Sequence, residues 1–322
     1  MEKIENYAEL PGKPGINWAR HRNQLNINLP LFIMCIPALL LLLFFNYLPM
    51  PGILIAFKNY KFNLGIYGSE WIGLKNFEYL FASGAATRIL THTVFYNALF
   101  ISTNLVVSIG LALLFNEVRS RPLARIYQSS VFFPYFVSWV IAGYFAFALF
   151  NTDAGLLNKL REQLQLAPFP WLRTPEVWPF ILVLANLWKS AGYSSLVYLA
   201  AMMGISAEYY EAAELDGATR WQQIWYITIP LISPIIIIML VLSVGKILNS
   251  DFGLFFYLTR GVSGSVATSV DVIDTYVYNA LRNSSDLGMP AAAGLFQSLV
   301  GFILVLSTNL IIRKVDPERA LF

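Results

Sequence analysis

The sequence contains few charged residues and few of the side chains that bind metals. Charged residues make up 13% of the chain, against roughly a quarter in an ordinary soluble protein. The single cysteine, Cys35, excludes an intramolecular disulfide, and two histidines argue against a histidine-based metal site. No P-loop pattern occurs, since Gly12-Lys13 and Gly245-Lys246 are each followed by the wrong residue. We therefore expect no catalytic, metal or cofactor site on this chain, and no nucleic-acid contact because no basic patch is present.

What the sequence has instead is long apolar runs. Hydrophobic residues make up 57% of the chain, and they gather in runs of the roughly 20 residues that a helix needs to cross a bilayer. A large soluble helical protein would not carry so many uncharged runs of this length. The first run contains Pro37 and Pro49 and is expected to kink or end near Asn46. We predict an all-α integral membrane protein with about six transmembrane helices, in the runs 29–57, 91–115, 126–150, 177–203, 227–248 and 291–312.

The positions of lysine and arginine predict the orientation in the membrane, because these residues are commoner in short cytoplasmic loops. The short connection 116–125 holds three arginines, and further basic residues stand in the N-terminal tail and after the sixth run. Basic residues are sparser in the long loops on the other side. The pattern predicts a multi-pass protein with both termini in the cytoplasm and residues 1–28 as a cytoplasmic tail. It also predicts Ser206 inside, with Ser69 and Ser263 exposed outside.

The polar segment 206–230 lies between two apolar runs and has a helical pattern. Ser206 suits the N-cap of a helix, Glu211 puts negative charge near its start, and Gly217 suits its C-terminal cap. A second, amphipathic helical piece follows and leads into the membrane. On these grounds alone the segment could lie on the bilayer surface or insert into a groove of a partner protein.

The same segment resembles the E-A-A-x3-G-x9-I-x-L-P signature of ABC importer permeases. Ile227 matches at the family spacing, and Ile229 replaces a leucine, which conserves volume. In that family the segment is a coupling helix seated in a cleft of a separate ATPase subunit. The resemblance assigns this contact to Glu211, Ala212, Ala213, Gly217 and Pro230.

A second resemblance narrows the family. Residues 71–77, W-I-G-L-K-N-F, are similar to the W-[IV]-G-L-x-N-F segment of carbohydrate-importer permeases, the group of the maltose and glycerol-phosphate permeases. Residues 271–277 and the tail after 294–296 look like oligosaccharide permeases. The resemblance implies a type I ABC importer permease fold over residues 29–322, in a bacterial inner membrane. The implied partners are a second, related permease in a heterodimer, two ATP-binding subunits that hold ATP and magnesium, and a solute-binding protein that meets the predicted outer loop 250–290.

Polar residues inside the predicted spans are candidates for the pathway, because ionisable groups facing lipid are costly. Lys189 lies ~18 Å from the outer end of the fourth run, near the midplane, where water, carbonyl oxygens, a partner's acid or an acidic substrate could meet it. Tyr193, on the same helix face, could stack on a sugar ring. Lys246 could instead extend to the outer headgroups. The candidate pathway residues, which suggest an acidic oligosaccharide such as a uronate oligomer, are Asn186, Lys189, Tyr193, Lys246, Asn249 and Gln297.

Two other functions compete with the permease interpretation. A secondary carrier or channel would need coupling-ion ligands or inverted repeats, and no convincing repeat is present. An integral membrane enzyme that transfers sugars would need clustered carboxylates at one interface, and 208–216 is the only dense acidic stretch. Copurification of an ATP-binding subunit with this chain would distinguish the three.

Overall fold

The chain is almost entirely helical in the residues that its computed structural model describes, 18–82, 84–261, 266–284 and 287–315. One two-stranded antiparallel sheet, β1 (Lys58–Asn59) with β2 (Glu70–Trp71), follows the first span. Short 3-10 or π helices occupy Leu43–Tyr47, Met50–Phe57, Phe133–Phe136, Trp171–Arg173, Pro175–Val177 and Ile224–Thr228. The α-helices are α1 (Trp18–Leu42), α2 (Gly65–Gly68), α3 (Lys75–Ala82), α4 (Gly84–Glu117), α5 (Arg121–Phe132), α6 (Trp139–Phe150), α7 (Leu156–Gln163), α8 (Trp178–Met203), α9 (Ala207–Leu215), α10 (Arg220–Gln223), α11 (Ile229–Val244), α12 (Phe252–Leu258), α13 (Ala267–Val270), α14 (Ile273–Ser284) and α15 (Gly288–Val315).

Five helical segments of the described chain are long and apolar enough to cross a membrane, and a bent pair brings the number to six. This confirms the predicted all-α membrane protein with about six spans. The five are Asn28–Phe57, Ala86–Glu117, Pro175–Met203, Arg220–Val244 and Gly288–Lys314.

The predicted third span, 126–150, is not one straight helix. The segments Arg121–Phe136 and Trp139–Phe150 meet at an angle of 98°. Pro134 lacks the N–H that a continuous helix requires. Ser138 then starts α6 as its N-cap, with its side chain accepting from the Ile141 N–H. The predicted third span is therefore two helical segments with a sharp bend between them.

The described residues 18–52, which contain most of the first span, form a unit of their own. Helix α1 begins at Trp18, so it runs through the predicted tail boundary at residue 28. Regular α-helix ends at Leu42, and the π turn Leu43–Tyr47 that follows contains Asn46. The predicted end of the first helix near Asn46 is thus confirmed, whereas residues 1–17 of the predicted tail lie outside the described residues.

The segment 250–290, predicted as a long loop, is folded into α12, α13 and α14 in its described parts. Asp251 caps α12 by accepting from the Leu254 N–H at 3.3 Å, and Leu254 and Phe255 are fully buried. Backbone groups of a buried segment need partners, and short helices supply them. Ser263 lies outside the described residues. Ser69, predicted to be exposed, is buried and donates to the Gly65 carbonyl at 2.6 Å.

The second unit, residues 53–322, is organised around the adjacent helices α4 and α8. One core cluster joins their first halves to α6 and α12 through Tyr96, Leu182 and Phe255. A second cluster joins their second halves to α11 through Tyr198 and Ile232. These two clusters hold α4, α8 and α11 together as a frame, and the polar residues between them form the candidate site.

Candidate functional site

A cavity of about 310 Å³ lies among α4, α8, α11 and the turn that follows α11. Three of the predicted pathway residues line it, namely Asn186, Tyr193 and Asn249. The other three, Lys189, Lys246 and Gln297, do not. The remaining polar lining residues are Asn97, Asn104, Ser190, Ser194, Tyr198, Ser243 and Asp251. A polar cavity of this kind between apolar spans can accept the hydroxyl groups of a sugar.

The lining amides of α4 were missed in the sequence, and they are held by the turn after α11 and by α8. Asn97 Nδ2 donates to the Ile247 carbonyl at 2.8 Å, and Asn104 Nδ2 donates to Ser194 Oγ at 3.2 Å. Their spacing of seven residues puts them on one helix face, which is a signal that the sequence already carried. The contacts fix both amides in one orientation towards the cavity.

Tyr193 belongs to an aromatic stack beside the cavity. Its ring is stacked on Tyr135, with centroids 4.5 Å apart and 12° between the planes, and lies 6.1 Å from Phe132. Phe132 is the last residue of α5, and Tyr135 lies in the 3-10 turn between α5 and α6. The break therefore positions an aromatic wall, and Tyr193 remains half-exposed with its edge available to a sugar ring.

Lys189 binds carbonyl oxygens at the same break. Its Nζ donates to the Tyr135 carbonyl at 3.0 Å and to the Val137 carbonyl. It also lies 5.1 Å from the centre of the Trp139 ring. The helix break frees these carbonyls, and a charged donor satisfies them more strongly than a neutral one. Of the partners that the sequence left open for Lys189, the structure shows the carbonyl oxygens.

Lys246 and Gln297 have different surroundings. Lys246 is exposed. Gln297 is buried, and its Nε2 donates to the Leu248 carbonyl at 2.7 Å and to Asp274 Oδ2 at 3.4 Å. Burial raises the pKa of Asp274, although its bonds to the Ser250 N–H and to Gln297 partly offset this. Gln297 thus ties α15 to α14 and to the end of the fifth span, instead of lining the cavity.

The coupling segment has the predicted helix, with both predicted caps. Ser206 accepts from the Glu208 N–H, and α9 ends in a Schellman motif, in which the Ala218 N–H donates to the Ala213 carbonyl at 2.9 Å. Gly217 occupies the left-handed position of this motif, with φ of +76°, and open space surrounds the position of a Cβ. The conformation therefore favours glycine, as expected of the predicted C-terminal cap, and the close approach of an ATPase subunit at this position stays a prediction.

The rest of the segment is helix with an exposed surface. Thr219 and Gln222 form a capping box that starts α10, and the π turn Ile224–Thr228 precedes Pro230, whose missing N–H removes a backbone bond. Glu211, Ala212, Gly217 and Pro230 are exposed, and Ala213 is half-buried. Large apolar side chains are exposed beside them, namely Tyr209, Leu215, Trp221 and Trp225. Such a patch on a polar segment fits a protein contact.

The segment 71–77 also has a physical explanation. Asn76 is buried and donates through Nδ2 to the Ala56 and Lys58 carbonyls, both at 3.0 Å. Gly73 takes the left-handed conformation, with φ of +63°. Trp71 stacks on Phe57, with centroids 5.7 Å apart. The motif thus packs residues 71–77 against residues 56–58, where the first span ends.

Comparison with known proteins gives concordant matches. A family model described as "Binding-protein-dependent transport system inner membrane component" matches residues 104–319. Protein LplB of Bacillus subtilis is 37% identical over 99% of each chain. The "Polygalacturonan/rhamnogalacturonan transport system permease protein YteP" of the same organism is 37% identical over 89% of each. The crystal structure of "a bacterial ABC transporter involved in the import of the acidic polysaccharide alginate" contains a chain that is 33% identical, with a TM-score of 0.81 over 92% of this chain and 99% of that one.

The contacts of Lys189 predict a structural effect of its removal. Lys189→Met should lower the free energy of unfolding by about 1.5–3 kcal/mol, because two carbonyls lose a charged donor. Thermal unfolding in detergent measures this, with exposed Lys246→Met as the matched control. Uptake of acidic and of neutral oligosaccharides should fall equally. Unchanged stability with a selective loss of acidic uptake would instead make Lys189 a substrate ligand.

Proposed function

Because this chain belongs to the family of binding-protein-dependent transport system inner membrane components, we propose that it forms, with a second related permease, the pathway by which an ABC importer takes up an acidic oligosaccharide. The chain is a multi-pass inner-membrane permease subunit and not an enzyme. The polar cavity lined by Asn186 and Tyr193 carries the proposal, since it lies between spanning helices and beside stacked aromatic rings.

The acidic nature of the substrate is supported by the similar proteins. YteP is named for polygalacturonan and rhamnogalacturonan, and the structural neighbour imports alginate. These polymers contain sugars with carboxylates. The cavity offers hydroxyl and amide groups, which match the uncharged part of such a sugar, and Asp251 is the acidic residue among its lining. The carboxylates of the substrate therefore need a positive partner elsewhere on the transporter.

Two ATP-binding subunits, which hold the ATP and magnesium, are the proposed source of energy. The capped helix α9 supports this, because Leu215 at its end and Trp221 in the following α10 form an exposed apolar surface that no described residue covers. A solute-binding protein would deliver the substrate to the helical segment 250–290. The family description already specifies a binding-protein-dependent system.

The substrate proposal is tested by transport with a charge-matched pair of probes. The complete transporter in proteoliposomes, with its binding protein, should take up trigalacturonate when ATP is present inside. The fully methyl-esterified trisaccharide, which has the same rings without the charges, should be taken up poorly. Vesicles without ATP provide the control. Equal uptake of the two probes, or uptake of the ester alone, would contradict the acidic substrate.

The coupling proposal is tested at Gly217. Gly217→Leu should abolish substrate-stimulated ATP hydrolysis and uptake, because a branched side chain in the left-handed conformation costs about 1–2 kcal/mol and disturbs the end of α9. Gly217→Asn should retain both activities, because asparagine tolerates this conformation. Gly204→Leu, at a glycine with φ of −81°, is the control for bulk. Loss with both Leu and Asn would mean that close approach to a partner is what matters, and full activity of Gly217→Leu would refute the coupling assignment.

The proposed orientation places both termini in the cytoplasm. With Cys35→Ala as background, an impermeant thiol reagent on intact cells should label Asp153→Cys and not Ser206→Cys. Both positions are exposed, which Ser69 is not. After the membrane is permeabilised, both should react. The reverse pattern on intact cells would invert the orientation and would move the coupling helix to the outside.

A further inference from the structure

A second polar cavity, of about 450 Å³, lies among α6, α12 and α14. This volume falls within the range of small-molecule sites. Two arginines, Arg260 and Arg282, line this cavity, and we name it the arginine cavity. No acidic residue is among its lining residues in the described chain. The others come from one face of α6 and from the end of α12, namely Val140, Gly143, Tyr144, Phe147, Phe256, Tyr257 and Gly261.

Arg260 has a backbone conformation that its residue type does not favour. Helix α12 ends in a Schellman motif, with the Gly261 N–H donating to the Phe256 carbonyl at 2.8 Å and the Arg260 N–H to the Tyr257 carbonyl at 3.4 Å. Arg260 occupies the left-handed position, with φ of +57°. Glycine is the usual residue there, as Gly217 is at the end of α9. Gln165 has the same conformation at the end of α7, with φ of +56°, so the contacts of the Arg260 side chain, and not its backbone alone, are what point to a role.

The side chain of Arg260 is held in place while its charge stays available. Its guanidinium lies 4.5 Å from the centre of the Phe147 ring, and the residue is exposed. The ion pairs among the described residues are Arg88 with Asp271 and Arg220 with Glu214, so Arg260 has no carboxylate partner there. Arg260 and Asp153 both line an adjoining cavity, but they form no ion pair. A guanidinium stacked on a ring presents its N–H edge outward in a fixed plane.

The walls of the cavity are close-packed and aromatic. A Cβ on Gly143 would stand 2.7 Å from the Tyr257 carbonyl oxygen, so the backbones of α6 and α12 are in direct contact. Tyr144 and Tyr257 expose their rings, and Arg282 reaches the same cavity from α14. The site therefore combines two planar guanidinium groups with aromatic ring faces, and the close contact between α6 and α12 holds it rigid. This pairing suits a ligand that has both a carboxylate and an apolar ring face.

We propose that the arginine cavity binds a uronate residue of the oligosaccharide, with Arg260 and Arg282 holding its carboxylate and the tyrosine rings contacting the sugar. The inference rests on the proposed function and deepens it, because it supplies the positive partner that the first cavity lacks. Since the arginine cavity is built from α6, α12 and α14, it gives the acidic substrate a second contact, apart from the pathway cavity among α4, α8 and α11.

The test is binding of trigalacturonate to the purified complete transporter in nanodiscs of uncharged lipid. Arg260→Asn should weaken the affinity about tenfold, the equivalent of about 1.4 kcal/mol, and should leave the affinity for the methyl-esterified trisaccharide unchanged. Arg282→Gln should act in the same direction. The melting temperature of Arg260→Asn should stay the same or rise, because asparagine tolerates the left-handed conformation. A residue that served only the fold would show the opposite, a lower melting temperature with unchanged affinity.

Two further variants test whether the planar guanidinium matters and whether the effect is specific to the cavity. Arg260→Lys keeps the charge and loses the planar fork, so its affinity should lie between those of wild type and Arg260→Asn. Lys159→Gln removes an exposed positive charge outside the cavity and should change nothing. Wild-type affinity in Arg260→Asn, or an equal loss in Lys159→Gln, would overturn the proposal.

A lipid phosphate is the rival anion, and the same protein distinguishes it. If native mass spectrometry shows anionic lipid retained by wild type and lost in Arg260→Asn, while trigalacturonate binds both equally, the cavity is a lipid site and the inference fails. The proposed function is judged separately by the wild-type uptake experiment. Wild-type uptake of trigalacturonate with no effect of the arginine variants would refute this inference alone, whereas absent uptake and binding in wild type would refute both.

Discussion

The interaction on which the structure depends is the bond between a polar side chain and a backbone carbonyl where a helix ends or bends. Lipid offers no hydrogen-bond donors, so each carbonyl freed there must find one in the protein. Four polar side chains do this, each donating to a carbonyl in a distant part of the sequence. They are Asn76 to Ala56, Asn97 to Ile247, Lys189 to Tyr135 and Gln297 to Leu248.

This constraint explains which features could be predicted from the sequence and which could not. The number of spans, both caps of α9 and the end of the first helix follow from local patterns and could be predicted. The bend of 98° in the third span could not, because the carbonyls freed there bind Lys189, more than fifty positions away. Pro134 did mark the place, since a proline inside a helical pattern ends or kinks it, and the length of the apolar run concealed that signal. The helices of 250–290 were missed because their partners lie on α4 and α6.

For the same reason, only some residues of the candidate site could be predicted from the sequence. Asn186 and Tyr193 lie on one face of a single helix, and periodicity brings them together. Gln297 has the same composition signal, a polar residue in an apolar run, yet it serves the backbone of another span. Asn104 carried a usable signal through its seven-residue spacing from Asn97. A polar residue in a membrane span is therefore evidence for a contact, and only the fold decides whether that contact is a carbonyl or a cavity.

The Schellman motifs at the ends of α9 and α12 show that the same geometry can be explained by structure in one place and by recognition in another. At Gly217 the residue agrees with the backbone, so the turn itself explains it. At Arg260 the residue disagrees with the backbone, and Gly261, which would suit the position, stands one place later. Local rules in a folded protein are broken mainly where another requirement outweighs them. A guanidinium fixed on Phe147 with its charge unpaired among the described residues is such a requirement, because it is ordered before any anion arrives and loses little freedom on binding.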